Sequence, residues 1–309
     1  MKIKKTNLLK IAFHPIYKHP LPEGHKFPMD KYDLLPRQLL HEGTCSTYNF
    51  FQPEMASTDE KYIRMTHDAD YIDRLYELDI HGHAARRIGF PLSEKLVERE
   101  RTITNGSIQA CEYAIQHGLA MNIAGGTHHA YSDRGEAFCM LNDQAIGAKY
   151  LLKNKKARQI LVIDLDVHQG NGTAEIFRNN DGVFTFSIHG KNNYPFKKEK
   201  SDLDIALPDK TSDETYLSTL KNQLPKLIES VKPDFVFYLS GVDILATDKL
   251  GKLGCSVEGC KERDRYVLSL LHQYQLPVEV SMGGGYSKDI KVIIEAHANT
   301  YRMAQDVYF

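Results

Sequence analysis

The chain has 309 residues, of which 42% are hydrophobic and 26% charged, the proportions of a folded globular protein rather than of a disordered one. Its 39 basic and 40 acidic residues nearly cancel, so the overall charge favours neither a nucleic-acid-binding nor a membrane-surface protein. No stretch approaches the roughly 20 apolar residues that span a bilayer, and the residues after Met1 lack the apolar run and cleavage site of a signal peptide.

Short apolar runs rich in β-branched residues alternate along the chain with longer helical patterns. In chain order, the predicted strands are Leu9–Phe13, Met121–Ala124, Gln159–Val167, Val183–His189, Phe235–Leu239 and Val278–Met282. The predicted helices lie near His67–Asp79, Glu94–His117, Asn142–Lys153, Asp213–Val231, Lys261–Tyr274 and Ile290–Val307. Because strands separated by helices need crossover connections, this order predicts an α/β fold with a single, mostly parallel sheet flanked by helices.

No repeat, low-complexity tract or linker-like segment divides the chain, so residues 1–309 are expected to form one domain. The five cysteines include no Cys-x-x-Cys pair, and this spacing favours reduced thiols over a zinc ribbon. Reduced thiols without a signal peptide predict a cytoplasmic protein.

The strongest chemical pattern lies at the end of the third predicted strand. Side chains two residues apart share one face of a strand, so Asp164, Asp166 and His168 are expected on a common face. Two carboxylates buried there without a partner would be strongly destabilising. A divalent cation or a paired histidine would offset that cost.

Three further segments follow predicted strands at the same edge of the sheet, where ligand sites of parallel sheets form. They are Gly125–His129 with adjacent histidines, Ser240–Asp243 with an acid, and Gly283–Tyr286 with three glycines and a tyrosine. Taken singly, adjacent histidines can be a surface accident, a lone aspartate a helix cap, and a glycine run a plain loop. Because all of them fall at one predicted edge, we expect them to lie together.

These motifs, in this order, resemble the zinc-dependent histone deacetylase family, which includes bacterial amidohydrolase and acetoin-utilisation members. The order is His-His, Asp-x-Asp-x-His-x-Gly-Asn-Gly, Gly-x-Asp and Gly-Gly-Gly-Tyr, and the similarity extends over nearly the whole chain. The segments Tyr131–Gly135 and His67–Tyr71 look most like those of the class IV branch and its bacterial relatives. The resemblance implies the arginase/deacetylase fold.

The resemblance also implies the metal site and the reaction. Asp166, His168 and Asp243 match ligands of one zinc ion per chain, with a position left open for water and the substrate carbonyl. The implied reaction is hydrolysis of an N-acyl amine, in which zinc activates the attacking water and polarises the acyl carbonyl. Tyr286 matches the tyrosine whose hydroxyl donates to the developing oxyanion.

His128 and His129 match the tandem histidines of the family, with Asp164 and Asn171 as their respective partners. His129 is the expected general base, and later the acid toward the leaving amine, while His128 gives electrostatic support. Several family members carry an aspartate where Asn171 stands. A neutral amide should raise the pKa of His129 less than a carboxylate would.

A structural monovalent cation, K⁺, is implied as well. Its expected surroundings are Asp164, Ser187 and the backbone oxygens of Asp166, His168 and Ile188.

The resemblance places a narrow tunnel for the substrate beside these residues. Phe138 matches one wall, and Ala137 beside it replaces a family glycine at the tunnel floor. Either Tyr194 or Phe196 is expected to form the opposite wall, and the backbone at Gly284 approaches the substrate closely.

The expected substrate is an acyl-lysine peptide or protein, with an acetylpolyamine or another small acyl-amine as the alternative. Polyamine enzymes of the family often carry an acid at the position that Leu250 fills here, which favours lysine, while Asp248 keeps the polyamine alternative open. Two different functions also stay open, a ureohydrolase with two manganese ions and a non-catalytic reader of acyl-lysine. No nucleic-acid or membrane partner is expected, and neither the acyl chain length nor the oligomeric state follows from the sequence.

Overall fold

The computed structural model describes residues 8–53 and 60–309, so the N-terminal segment on which the signal-peptide prediction depends lies outside the described residues. The strands are β1 (Lys10–Ala12), β2 (Phe50–Phe51), β3 (Leu119–Asn122), β4 (Ile160–Asp164), β5 (Val183–Gly190), β6 (Leu203–Leu207), β7 (Phe235–Leu239) and β8 (Val278–Ser281). The α-helices are α1 (Lys31–His41), α2 (Glu60–Thr66), α3 (Ala69–Tyr76), α4 (Gly82–Ile88), α5 (Glu94–His117), α6 (Asp143–Lys153), α7 (Asn171–Phe177), α8 (Asp213–Val231), α9 (Val257–Gln273) and α10 (Ile290–Tyr308).

The strands form one sheet in the order β2-β1-β3-β8-β7-β4-β5-β6, and every pair of neighbours is parallel. This confirms the predicted α/β fold with a single sheet flanked by helices. The short edge strand β2 and the opposite edge strand β6 were not predicted. Neither has the apolar run of a buried strand, since β2 has two residues and most of β6 is only half-buried.

Both faces of the central strands are buried, and alternate residues of each strand enter different cores. In β4, Ile160 and Val162 pack with α5, α6 and α7, whereas Leu161 and Ile163 join the larger core on the other face. Helices α8, α9 and α10 contribute to that larger core. Burial on both faces explains why these strands are continuous apolar runs rather than alternating ones.

The expectation that Asp164, Asp166 and His168 share one face of a strand is wrong. Strand β4 ends at Asp164, three residues before the predicted end. The amide of Asp166 donates to Oδ1 of Asp164 at 3.1 Å, and the amide of His168 donates to Oδ1 of Asp166 at 3.0 Å. These side-chain acceptors replace the backbone partners of a strand, so the chain turns out of the sheet.

Two helix boundaries also differ from the predictions for local reasons. Helix α9 begins at Val257 rather than Lys261, because the Ser256 hydroxyl accepts the amide of Gly259 and caps the helix earlier. The helix predicted from His67 to Asp79 is shorter in the structure. Helix α2 ends just before it at Thr66, and within the predicted range only α3 is helical.

All five cysteines are buried and none forms a disulfide. Within residues 8–53 and 60–309, no helix combines the length and apolar character needed to cross a bilayer.

Candidate active site

Four neighbouring strands bring the predicted site together. Strands β3, β8, β7 and β4 are adjacent in the sheet in that order, and each is followed by one of the motif segments. A cavity of about 370 Å³ lies at this edge, and its lining includes His128, His129, Asp166, His168 and Tyr286. The structure thus gathers residues that are more than 150 positions apart in the chain.

Asp166, His168 and Asp243 are buried and offer ligand atoms that all lie within 4.8 Å of one another. Nδ1 of His168 is 3.0 Å from Oδ1 of Asp166 and 3.1 Å from Oδ2 of Asp243. The remaining carboxylate oxygens are held by backbone amides. Val167 donates to Oδ1 of Asp243, and Gly284 donates to Oδ2 of Asp166, both at 2.9 Å. Two carboxylates and one imidazole converge on one point.

The charge of this triad favours a cation. Burial and the neighbouring Asp166 raise the pKa of Asp243 to about 7. Burial lowers the pKa of His168, but its hydrogen bonds to Asp166 and Asp243 outweigh this effect and raise the pKa to about 10. The triad therefore holds protons near neutral pH, and a divalent ion would displace them and balance the buried negative charge. The donor set of two carboxylate oxygens and one imidazole nitrogen fits zinc.

Two glycines leave the room that this triad occupies. A Cβ at Gly241 would collide with Asp166, and a Cβ at Gly284 would collide with both Asp166 and Asp243. Gly284 also lines the cavity. Its backbone therefore lies close both to the two carboxylates and to the space expected for the substrate.

The adjacent histidines have unlike partners. Nδ1 of His128 lies 2.6 Å from Oδ2 of Asp164, and Nδ1 of His129 lies 2.6 Å from Oδ1 of Asn171. The Asn171 amide nitrogen donates to the Tyr131 hydroxyl at 3.0 Å, which orients the amide with its oxygen toward His129. An amide oxygen can only accept, so neutral His129 carries its proton on Nδ1 and has a free lone pair on Nε2.

This difference in partners shifts the two pKa values apart. Burial lowers the pKa of His128, but the charge of Asp164 and the hydrogen bond to it outweigh burial, and the pKa is raised. Burial, together with the charges of His128 and His168, puts the pKa of His129 well below its usual value. Two imidazoles with opposite pKa shifts therefore stand side by side, with ring centroids 4.1 Å apart.

The loop that carries the histidines is anchored at both ends. Buried Asp143 accepts the amides of Gly126 and Thr127 at 2.9 and 2.8 Å. The carbonyl of His128 accepts amides from the first turn of α7, at 3.0 and 3.2 Å. The helix that begins with Asn171 therefore also fixes the backbone of the histidine pair.

Aromatic side chains form the walls of the cavity. The Phe138 ring packs against Phe27 and Phe90, with centroids 5.2 and 5.1 Å away. The Tyr194 ring meets His129 edge-on at 5.0 Å and its hydroxyl donates to Glu136. Phe196 also borders the cavity but is 89% exposed.

Ala137, which stands where the resemblance implies a glycine, has an unusual backbone conformation. Ala137 and Phe138 have φ values of 45° and 69°, in the left-handed region that glycine adopts without a side-chain penalty. Their amides donate to the carbonyls of Arg87 and Ile88 at 2.8 and 2.7 Å. These two hydrogen bonds hold the Phe138 wall in place despite the alanine.

Three of the residues expected around a monovalent cation lie in neighbouring strands, while Asp166 and His168 follow the end of β4. Asp164 of β4 is the register partner of Ser187 in β5, and Ile188 follows in the same strand.

Asp248, the candidate receiver for a polyamine ammonium group, is engaged elsewhere. Its Oδ1 accepts the amides of Leu250 and Gly251, both at 2.8 Å, and its Oδ2 accepts the amide of Tyr286. Leu250 borders the cavity and is half-buried.

Lys31 was missed in the sequence. It is fully buried, donates to the carbonyl of Gly283 at 3.0 Å and lies 5.7 Å from the centroid of the Tyr286 ring. Burial lowers its pKa to about 8, although Asp243 and Asp166 act in the opposite direction. Nothing in the local sequence distinguishes this lysine at the start of α1 from a surface residue.

Arg263 was missed as well. It is fully buried in α9 and paired with Asp264 at 2.8 Å. Its guanidinium donates to the carbonyls of Leu165, Gly241 and Ser240 at 3.2, 2.6 and 3.1 Å. These carbonyls belong to the two loops that carry Asp166 and Asp243. The adjacent Arg-Asp pair in a helical pattern gives no sign of burial in the sequence.

Comparison with known proteins agrees with this geometry. The family model for the histone deacetylase domain matches residues 25–301 of the chain. An uncharacterized protein from Picosynechococcus sp. is 42% identical over 298 residues, which cover 96% of this chain and 99% of that protein. The acetoin utilization protein AcuC of Staphylococcus aureus is 28% identical over 323 residues, covering 97% of this chain and 80% of that protein.

Among solved structures, an HDAC homolog from Aquifex aeolicus is similar to this chain. The TM-score is 0.81 at 25% identity, and the match covers 95% of this chain and 83% of that one. The likeness confirms the arginase/deacetylase fold expected from the motifs.

Proposed function

The chain belongs to the histone deacetylase family, and on that premise we propose that it is a zinc-dependent hydrolase of N-acyl-lysine. One observation carries the proposal. Two carboxylates and an imidazole converge beside a cavity whose lining also includes one histidine with a raised pKa and one with a lowered pKa. Hydrolysis of an amide is favoured where an electrophilic metal, a neutral base and a group that stabilises developing negative charge act together.

Asp166, His168 and Asp243 would hold one zinc ion per chain. When bound, zinc would supply an electrophile for the acyl carbonyl and lower the pKa of a water molecule. The amides of Val167 and Gly284 keep the two carboxylates aimed at that point.

His129 is proposed as the general base. Its free Nε2 takes the proton of the attacking water, and its lowered pKa keeps it neutral at the start of the reaction. The same nitrogen returns the proton to the leaving amine, so the products are a free amine and a carboxylate. His128, held by Asp164, stabilises the negative charge that develops between these steps.

Tyr286 is proposed as the oxyanion donor. Burial and the nearby Asp243 and Asp166 keep the pKa of its phenol well above the usual value. The hydroxyl therefore stays protonated at any working pH and can donate a hydrogen bond.

The proposal also covers the substrate tunnel and a structural cation. Phe138 and Tyr194 would enclose the substrate stem, with Leu250 and Phe196 at the rim. A K⁺ ion would sit near Asp164 and Ser187 and help to neutralise that carboxylate. The proposal also includes a single domain over residues 1–309, a cytoplasmic location and a place in the class IV branch.

The test is metal removal and replacement. Purified protein is treated with a chelator, dialysed, supplied with zinc and assayed on an acetyl-lysine peptide. We expect loss and recovery of cleavage with one zinc ion per chain. Cleavage that persists without metal contradicts the proposal, binding of the peptide without turnover supports a reader of acyl-lysine, and two manganese ions per chain support a ureohydrolase.

An acyl-amine smaller than a lysine peptide is the second candidate substrate. Leu250 at the rim and the engagement of Asp248 with three backbone amides favour lysine over a polyamine. Kinetics on acetyl-, butyryl- and myristoyl-lysine peptides beside acetylated polyamines would rank the substrates. A higher kcat/KM for the polyamines would reverse this preference.

A further inference from the structure

The lining of the cavity is unevenly charged. Four cationic side chains border it, those of Arg86, Arg87, Arg99 and Lys252. Among the described lining residues, Asp166 is the one carboxylate, and it belongs to the metal triad. The whole chain, in contrast, has a net charge of −1. The positive charge is therefore local to the site.

Two of these cations are neutralised within the protein. Arg99 is buried, forms an ion pair with Glu100 and donates to the carbonyl of Tyr17 at 2.7 Å. Arg87 forms an ion pair with buried Glu136.

Arg86 and Lys252 are exposed and have no such partner among the described residues. Neither side chain forms an ion pair with any acid in the described part of the chain, and Lys252 donates only to the carbonyl of Asn192, at 2.9 Å. Asp209 also contacts Asn192, whose side chain donates to it at 3.3 Å, but this acid forms no ion pair with Lys252 or with any other described residue. The mouth of the cavity thus keeps two charges available for a ligand.

These two cations flank the two proposed walls. Arg86 directly precedes Arg87 and Ile88, whose carbonyls hold the backbone of Ala137 and Phe138. Lys252 donates to the carbonyl of Asn192, two residues before Tyr194 in the same loop. The side chain of Asn193, which lies between them, donates to the carbonyl of Leu250 at 2.8 Å. A peptide that inserts a side chain between the walls would pass close to both charges.

Resting on the proposed function, we propose that the mouth selects acyl-lysine residues flanked by acidic side chains. Acidic neighbours of the acyl-lysine would pair with Arg86 and Lys252, and the field of the mouth would raise their encounter rate. Basic neighbours, and the free ammonium groups of an acylated polyamine, would be repelled.

The experiment compares three peptides of equal length with one central acetyl-lysine flanked by Glu, Gln or Lys. We expect kcat/KM to fall in that order, with about a 10-fold difference between the Glu and Lys peptides at low salt. The difference should shrink toward parity at about 0.5 M salt, because surface charges are then screened within a few ångström.

A charge-reversal variant, Arg86→Glu with Lys252→Glu, should abolish or reverse this order while cleavage of the Gln peptide stays within about 3-fold of the unmodified protein. The matched control is Lys226→Glu, because Lys226 is exposed and lies near the end of α8, at the opposite edge of the sheet. The control should keep the original order.

Equal rates on all three peptides would overturn the inference and leave the proposed function standing. If none of the three is cleaved by the zinc-loaded protein, the proposed function fails and the inference fails with it. Equal peptide rates together with strong inhibition by a short DNA duplex would assign the two cations to a nucleic-acid contact instead.

Discussion

Oδ2 of Asp248 accepts the backbone amide of Tyr286 at 2.6 Å. The other oxygen of this carboxylate accepts two amides of its own loop, those of Leu250 and Gly251. Asp248 therefore ties the loop after β7 to the loop after β8, and the position of the phenol depends on a residue that does not line the cavity.

Replacing Asp248 tests this dependence. In Asp248→Asn, one of the two acceptor oxygens becomes an amide nitrogen, which cannot accept, so at least one backbone amide loses its partner. We expect kcat on an acetyl-lysine peptide to fall about 10-fold with little change in KM, as is typical for residues that orient a functional group. Asp181→Asn, at an exposed position with no described partner, is the control. An unchanged kcat in Asp248→Asn would show that the tyrosine is held by other contacts.

Removing the Tyr286 hydroxyl should slow the reaction without disturbing the fold. We expect Tyr286→Phe to lower kcat by about 10²- to 10³-fold, the usual effect of losing one oxyanion donor. The matched control is Tyr301→Phe, because the Tyr301 hydroxyl is buried and has no hydrogen-bond partner among the described residues. Equal activity of the two variants would remove Tyr286 from the mechanism.

Under the proposed mechanism, the Asn171 amide sets the acid limit of activity. His129 must be neutral to act as a base, and its pKa is well below the usual value. A carboxylate in Asn171→Asp would favour the protonated imidazole and raise this pKa, so the acid limb of the kcat/KM profile should move to higher pH.

The pH profile of kcat/KM is measured for Asn171→Asp beside Asn179→Asp, which adds the same charge at an exposed position of the chain. Only the first variant should move the acid limb. A shift to lower pH, or no shift, would mean that another group controls the acid limb.

Arg263 should matter for both stability and metal binding. Arg263→Met leaves Asp264 buried without its ion-pair partner and should lower the free energy of unfolding by about 3–5 kcal/mol. The carbonyls of Leu165, Gly241 and Ser240 also lose their donor, so we expect weaker zinc binding by the folded protein.

Arg263→Lys keeps the charge but not the planar group that reaches several carbonyls, so it should recover part of the stability and little of the zinc affinity. Chemical denaturation and zinc titration measure the two effects, with Arg158→Met at a 93% exposed side chain as the control. Wild-type zinc affinity in the folded Arg263→Met protein would limit this arginine to a role in stability.

The sequence predicted the parallel sheet and the residues at its carboxyl edge because both depend on local patterns. Continuous apolar runs mark strands that are buried on both faces, and the motif residues follow directly after them. The expected geometry of the metal segment was wrong because the carboxylate of Asp164 captures a backbone amide and ends the strand, an effect that residue spacing does not contain.

Residues that act through tertiary packing could not be predicted. Lys31 and Arg263 are charged side chains in amphipathic helices, where exposure is the usual expectation. Their burial depends on carbonyls that other strands bring close, at Gly283, Gly241 and Ser240. The positive charge at the mouth of the cavity also depends on tertiary packing, since Arg86 and Lys252 border one cavity only after the sheet has formed.

The arrangement of the four site-bearing strands has a consequence for a divided chain. A single cut between His168 and Asp243 would leave two proposed ligands on the first fragment, while the second would hold the third ligand and Tyr286. When that cut falls between β6 and α8, the second fragment carries β8 and β7, which lie between β3 and β4 of the first fragment in the sheet. The two fragments would then rebuild the triad only by pairing again along both seams, β3 with β8 and β4 with β7. Recovery of zinc binding on mixing separately purified fragments would therefore report the rejoining of the sheet itself.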